Sequence, residues 1–153
     1  MKIGEICSRE VVVAEKTLTL PEVAHLMREY HVGSVVVVED TPEGRVPVGI
    51  VTDRDIVIAV VGKDVAAQNI AVWEVMGPRL LSVSEDDSVL DAISIMRHEG
   101  VRRLPVLVSK GPAKGTLAGI ATLDDALEIV AEQLNDLAAV VSRERSREEK
   151  IRR

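Results

Sequence analysis

One unit of sequence occurs twice in this chain, and this repeat limits the possible folds more than any other feature. At an offset of 70 positions, GIVTDRD (residues 49–55) is matched by GIATLDD (residues 119–125). At an offset of 69, the preceding residues match as well: Met27 with Met96, Arg28 with Arg97, Val32 with Val101. The one-residue slip fits one extra residue in the loop 109–115 compared with 39–45. The pattern predicts two copies of one supersecondary unit.

Each copy has the same predicted elements. Apolar residues recur at helical spacing in both, at Leu20, Val23, Ala24 and Met27 and at Val89, Ala92, Ile93 and Met96. Four Val-, Ile- or Leu-rich runs predict strands, at residues 35–38, 47–51, 104–108 and 116–121. Extended segments at 11–14 and 80–83 precede the helices, and a second helix begins near Asp53 or Leu123. We expect a mixed α/β (α+β) fold whose two halves, each too small to bury its sheet alone, pack face to face.

Composition indicates the cellular compartment and argues against nucleic-acid and membrane partners. Cys7 is the single cysteine, so neither an intrachain disulfide nor a cysteine-based metal site can form, and a reducing cytoplasm is expected. The formal charge of −6 argues against general nucleic-acid binding. The longest apolar run, Ile56–Val61, is far shorter than the roughly 20 residues that cross a bilayer, and residues 1–10 lack the apolar stretch of a signal peptide. We therefore expect no membrane partner.

The repeated Thr-x-x-Asp step has two interpretations. Thr52 and Asp55, or Thr122 and Asp125, have the spacing of a capping box at a helix N-terminus. Such an N-terminus at the carboxyl end of a strand also presents free N–H groups to phosphate. An Asp one turn into the helix can accept both hydroxyls of a ribose. The step therefore indicates a structural cap, a nucleotide site, or both.

The repeat resembles the cystathionine-β-synthase (CBS) domain. Copies of that domain typically end in Gly, one or two apolar residues, Thr or Ser, two further residues and Asp before a helix, as in residues 49–55 and 119–125. Residues 101–108 and 75–96 also resemble the family's Pro-Val strand and opening helix. The resemblance covers about residues 3–134. It implies two CBS repeats related by a pseudo-two-fold axis, at 3–62 and 75–134, a linker at 63–74 and a charged helical extension at 135–153.

The resemblance also implies ligands and site residues. CBS pairs are regulatory modules that bind AMP, ADP, ATP, S-adenosylmethionine or NAD in clefts between the repeats. In both clefts apolar residues would hold the base, Asp the ribose, and Thr and Arg the phosphates. One cleft would combine Leu81 and Val101 with Thr52, Arg54 and Asp55. The other would combine Val12 and Val32 with Arg102, Arg103, Thr122 and Asp125. Ordinary surface charges are the alternative interpretation of Arg102 and Arg103.

The two copies differ near the expected phosphate. Repeat 1 has Arg54 where repeat 2 has Asp124, an acid that would oppose Arg102 and Arg103. A charge-assisted hydrogen bond to phosphate contributes roughly 1.5–3 kcal/mol. A carboxylate about 4 Å away costs on the order of 1–4 kcal/mol. The sequence therefore predicts tighter binding in the Thr52 cleft than in the Thr122 cleft.

Other sites find less support. The three histidines, His25, His31 and His98, have no ligand-type partner at helical spacing, so no metal site is expected, and no catalytic constellation is recognisable.

A heptad-like stripe follows the second Thr-x-x-Asp step at Leu127, Val130, Leu134, Leu137 and Val141. Packing on the module itself is one interpretation of the stripe, and contact with a second subunit past Asn135 is the other. The tail 142–153 has six basic and three acidic residues, including Glu148/Arg152 and Glu149/Arg153 pairs, and is a solvated helix end or a docking peptide.

Two functions follow from the sequence. The first is a non-enzymatic sensor of an adenine nucleotide, without a resident cofactor, that forms a homodimer and signals to an unidentified protein target. The alternative is a structural dimerisation module whose clefts are vestigial.

Overall fold

The computed structural model describes residues 1–151, without the side chains of residues 146 and 148–151. The elements in chain order are α1 (Ile3–Ile6), β1 (Val13–Glu15), α2 (Leu20–Glu29), β2 (Ser34–Thr41), β3 (Gly44–Thr52), α3 (Asp53–Val60), β4 (Val83–Ser84), α4 (Val89–Glu99), β5 (Arg103–Leu107), β6 (Leu117–Thr122) and α5 (Leu123–Ile151). Two 3-10 turns, Ala67–Asn69 and Val72–Glu74, lie between α3 and β4. The Glu148/Arg152 and Glu149/Arg153 pairs lie outside the described side chains.

The repeat in sequence is a repeat in topology. One three-stranded sheet has the order β1-β2-β3 and the other β4-β5-β6. In each, the first two strands are parallel and the last two antiparallel, with a bulge at Val37/Val38 or Val106/Leu107. The mixed fold with two equivalent halves and a C-terminal helix is confirmed.

The predicted helices and long strands form because their apolar positions meet a core. Leu20, Val23 and Met27 are the buried face of α2, and the corresponding face of α4 is buried too. Strand β2 is buried along its Val-rich run and is the central strand of its sheet. Ladder pairing of β1 begins only at Val13, opposite Val36. The extended segment 11–14 therefore starts two residues before the strand itself.

The leading segment of each half packs on the other half. Ile3 and Cys7, which precede β1, are buried in the core of the second sheet with Leu104 and Val106. Val72, which precedes β4, is buried in the core of the first sheet. Backbone hydrogen bonds between Ser8 and Ile120 hold the first segment beside β6, at 3.0 and 2.9 Å. This exchange ties the halves together through main-chain as well as apolar contacts.

The glycine of each Gly-Ile-x-Thr motif lies where an exchanged segment crosses the sheet. A Cβ at Gly119 would lie 2.6 Å from the carbonyl oxygen of Ser8 and 2.8 Å from Sγ of Cys7. A Cβ at Gly49 would collide with the side chain of Met76. Cys7 and Met76 occupy equivalent places in the repeat. The motif therefore needs glycine because another segment of chain passes directly over it.

Helix α5 is much longer than its counterpart α3. Ala126 is buried against the second half, but every described side chain from Val130 onward is exposed. Residues 130–151 therefore extend beyond the body by about 33 Å, at about 1.5 Å per residue. Among residues 1–151, no helix combines the length and apolar character required to cross a bilayer.

Candidate functional site

Both Thr-x-x-Asp steps form capping boxes. The backbone N–H and the hydroxyl of Thr52 each donate to Oδ2 of Asp55, at 2.9 and 2.8 Å. The N–H of Asp55 donates in return to Oγ1 of Thr52, at 3.2 Å. The same three bonds join Thr122 and Asp125, at 2.9, 2.7 and 3.2 Å. The structural interpretation of the step is therefore confirmed, and in each case a single carboxylate oxygen suffices for it.

Backbone bonds fix the position of both helix N-termini. The N–H of Asp53 donates to the carbonyl of Gly33 at 3.1 Å, and the N–H of Leu123 donates to the carbonyl of Arg102 at 2.9 Å. Each helix thus begins beside the first residues of the central strand of its own sheet. The residues preceding that strand, which the family resemblance assigns to the base and phosphate, are brought next to the helix N-terminus.

The two N-termini differ at the residue after the threonine. In α3 this residue is Asp53, whose Oδ1 accepts the N–H of Arg54 at 2.8 Å. In α5 the same position is Leu123, which has no carboxylate to offer to the N–H of Asp124. An amide that an incoming phosphate would approach is therefore already bonded in α3. The order of affinities predicted from the sequence includes the negative charge of Asp124 near the Thr122 cleft but not that of Asp53 near the Thr52 cleft.

A cleft between the two halves contains four of the predicted site residues. We call it the Thr122 cleft, a cavity of about 310 Å³. Val12 and Val32 line it from the first half, and Arg103 and Thr122 from the second. This volume lies at the lower end of small-molecule sites, about 300–1,000 Å³. A further cavity of about 530 Å³ shares Val12 and Val32 and extends to Tyr30 and Arg45.

The charges at the Thr122 cleft are unevenly distributed. Arg103 lines the cavity, whereas Arg102 forms an exposed ion pair with Asp124 at 3.5 Å. The guanidinium of Arg102 therefore offsets the carboxylate of Asp124. Asp125 stays at the helix N-terminus through its bonds to Thr122 and is not among the residues lining the cavity.

The residues of the other predicted cleft are less closely assembled. Asp55 lines a cavity of about 230 Å³ together with residues of α3 and the segment after it, Ile58, Ala59, Lys63, Glu74 and Val75. Leu81 and Val101 do not line this cavity and instead pack against the core of the second half, partly buried. Thr52 and Arg54 are not in its lining either.

Several residues of the Thr122 cleft were not expected from the sequence. They are Ser8, Glu10, Val11, His31, Gly33, Ser34 and Ile120. Ser8 and Ile120 reach the cleft because the leading segment of the first half is exchanged onto β6. His31 is in the left-handed region at φ 54°, where the equivalent residue after α4 is Gly100 at φ 69°. The aligned Gly100 is a signal in the sequence that marks this turn.

Outside the two predicted clefts, the other candidate sites would be a reactive thiol and a metal site. Burial raises the pKa of the Cys7 thiol, which lies within the core of the second half and is unsuited to nucleophilic chemistry. Among residues 1–151 with described side chains, no group of three or more His, Cys, Asp or Glu side chains is placed to hold a metal ion.

Comparisons with known proteins agree with the repeat. The sequence model of the CBS domain matches residues 3–62 and 72–132. An uncharacterized protein of Methanopyrus kandleri is 36% identical over 129 residues, which are 84% of this chain and 62% of that protein. This chain thus spans less than two thirds of that relative.

Two solved structures are similar in fold. One is a putative signal-transduction protein with CBS domains from Burkholderia ambifaria, with a TM-score of 0.68 and 27% identity over 80% of this chain and 84% of that one. The other is a CBS domain protein from Pyrobaculum aerophilum complexed with AMP, with a TM-score of 0.70 and 25% identity over 82% and 89% of the two chains.

Proposed function

This chain belongs to the CBS domain family, and we propose that it is a regulatory module, without catalytic activity of its own, that binds an adenosine nucleotide between its two repeats. The observation that carries the proposal is the Thr122 cleft, where apolar walls from one half face a helix N-terminus and an arginine from the other. The AMP complex of the similar Pyrobaculum aerophilum protein supports AMP as the first ligand to test.

The chemistry of the cleft matches the parts of such a ligand. Val12 and Val32 offer aliphatic surface for a base, and Arg103 and the N-terminus of α5 offer positive charge for a phosphate. Asp125 lies outside the cavity lining, but its capping bonds use only Oδ2, so its other carboxylate oxygen is the acceptor we propose for a ribose hydroxyl at the edge of the cleft. A nucleotide would thus contact both halves at once, and its binding would stabilise their relative arrangement.

We place the tighter site in the Thr122 cleft, the reverse of the order expected from the sequence. Two differences support this order. Asp53 supplies a carboxylate at the N-terminus of α3, while Leu123 supplies none at the N-terminus of α5. Arg102 offsets Asp124, which leaves the charge of Arg103 for the ligand.

Calorimetric titration with AMP tests the proposal and the order together. A charge-assisted hydrogen bond contributes about 1.5–3 kcal/mol, so Arg103→Gln is expected to weaken binding by about 10- to 100-fold. Arg54→Gln is the matched control, because it removes the same charge beside the other helix and should leave the dissociation constant within about twofold. The opposite pattern would return the tighter site to the Thr52 cleft.

Thermal unfolding with AMP, ATP, NAD or S-adenosylmethionine tests whether any nucleotide binds. A ligand at a hundredfold excess over its dissociation constant stabilises the native state by about 2.7 kcal/mol, or about 5–10 °C in Tm for a chain of this size. If none of the four shifts Tm at millimolar concentration, the nucleotide proposal fails.

The apolar surface of the body supports self-association. Four large aliphatic side chains are more than half exposed on α3, at its C-cap and on α4, at Val57, Ile58, Val61 and Leu90. Val57, Ile58 and Val61 lie within five positions of one another on the chain, and adjacent exposed apolar side chains of this kind are a candidate interaction surface. We propose a homodimer, which light scattering would detect as twice the chain mass of 16.6 kDa. This surface is also the observation that favours the alternative function, a dimerisation module that needs no ligand.

A further inference from the structure

The extension of α5 beyond the body has an apolar face with no partner in the described chain. Leu134, Leu137 and Val141 are exposed to 61%, 64% and 50%. With Leu127 and Val130 they recur at alternating intervals of three and four residues, which places them along one side of the helix. In proteins, a helix gains most of its stability from packing such a face against another surface. This face therefore needs a partner in the assembled protein.

The partner must also fit a reversal of charge along the helix. Residues 123–137 contain five acidic and no basic residues, whereas residues 138–147 contain three arginines and one glutamate. A parallel copy of the helix would place acidic half beside acidic half. An antiparallel copy places the acidic half of each helix beside the basic half of the other, and both apolar faces still meet.

From these two features we propose that α5 pairs with α5 of a second copy of this chain as an antiparallel coiled coil. In the register that fits best, Leu134 packs against Leu137 of the second copy, and Val130 against Val141. Asp124 then lies near Arg145 of the second copy. This pairing is independent of nucleotide binding, and it is a second contact beyond the apolar surface on α3 and α4.

The charges select this register among the apolar matches. Moving each helix by one heptad toward the N-terminus of the other would still match leucines and valines. It would, however, place Asp124 opposite Ala138 of the second copy and so remove its pairing with Arg145. In the favoured register, Ala131 of one copy faces Ala138 of the other, next to the row of apolar contacts. Small side chains at these positions allow the two backbones to approach closely.

Cysteine cross-linking of the full chain distinguishes the possible arrangements. The variants are Ala131→Cys, Ala138→Cys and the double variant, each oxidised at micromolar concentration and run on a non-reducing gel. Both alanines are exposed on α5, and neither lines the Thr122 cleft. The native Cys7 is buried, so the unmodified chain is the control for background cross-linking. Within one chain the two new thiols are about 10 Å apart along the helix, too far for an internal disulfide.

The antiparallel pair predicts that the double variant becomes a covalent dimer and that each single variant does not. A covalent dimer of Ala131→Cys alone would show an antiparallel pair shifted by one heptad, in which residue 131 faces its own copy, and would overturn the proposed register. Failure of all three variants to cross-link would show that α5 does not form this antiparallel pair, and would also overturn the proposal. Leu134→Glu provides a second measurement: it should abolish cross-linking of the double variant and leave the Tm shift caused by AMP unchanged.

Discussion

Replacing Gly119 by alanine should destabilise the protein at the point where the two halves exchange segments. The new methyl group would lie 2.6 Å from the carbonyl oxygen of Ser8, a backbone atom, and 2.8 Å from Sγ of Cys7. Ordinary contact needs well over 3 Å, so residues 7–8 must move by several tenths of an ångström. That movement strains the two hydrogen bonds between Ser8 and Ile120.

The expected cost follows from these two effects. Overpacking of a tight contact costs typically 1–3 kcal/mol, and each weakened hydrogen bond up to about 1 kcal/mol. The total is about 1–5 kcal/mol, against the 5–15 kcal/mol that stabilises most domains. For a chain of this length it corresponds to a decrease of about 2–20 °C in Tm. Urea unfolding followed by far-UV circular dichroism would measure the free energy of unfolding directly.

Gly49→Ala is the matched control, because Gly49 holds the same place in the other repeat. The three atoms nearest to its new methyl group all belong to the side chain of Met76, which can change rotamer. We expect a loss smaller than that of Gly119→Ala, and partial recovery in the double variant Gly49→Ala/Met76→Ala. If Gly119→Ala cost less than Gly49→Ala, the close backbone contact would not be the reason for the glycine.

Two further predictions concern stability. At the left-handed turns, Gly100→Ala should lower the free energy of unfolding in urea by about 1 kcal/mol through backbone strain alone, since open space surrounds Gly100. His31→Gly should raise it by up to about 1 kcal/mol, because glycine adopts this conformation without strain. A lower free energy of unfolding for His31→Gly would show that His31 is not strained. In acid, the Lys2 ammonium, assisted by Ser109 and Lys110, holds the pKa of Asp86 well below its ordinary value. This contribution to stability is complete above the unfolded pKa near 3.9 and is lost as pH falls through the lower folded pKa. The urea midpoint of the natural protein should therefore fall more steeply below about pH 4 than that of Asp86→Asn, and equal slopes would refute the effect.

The sequence by itself determined the repeat and the elements within it. Apolar spacing located α2 and α4, the Val-rich runs located the long strands, and Thr-x-x-Asp located the start of α3 and α5. These signals are local: a helix face and a cap are set by residues within one or two turns of each other. The boundaries of the short strand β1 depend on its partner and were less accurate.

Only the tertiary structure decided which residues from distant parts of the chain meet. The exchange that buries Ile3 and Cys7 under β6 and Val72 under the first sheet has no local signal, because apolar residues there fit either core equally well. That exchange brings Ser8 to the Thr122 cleft and explains the glycine of the motif. The hydrogen bond from Arg54 N–H to Asp53 likewise depends on how the first turn of α3 is built. Spacing in the sequence gives the residue types at a site, but burial and the paths of distant segments decide which charges and walls face one another.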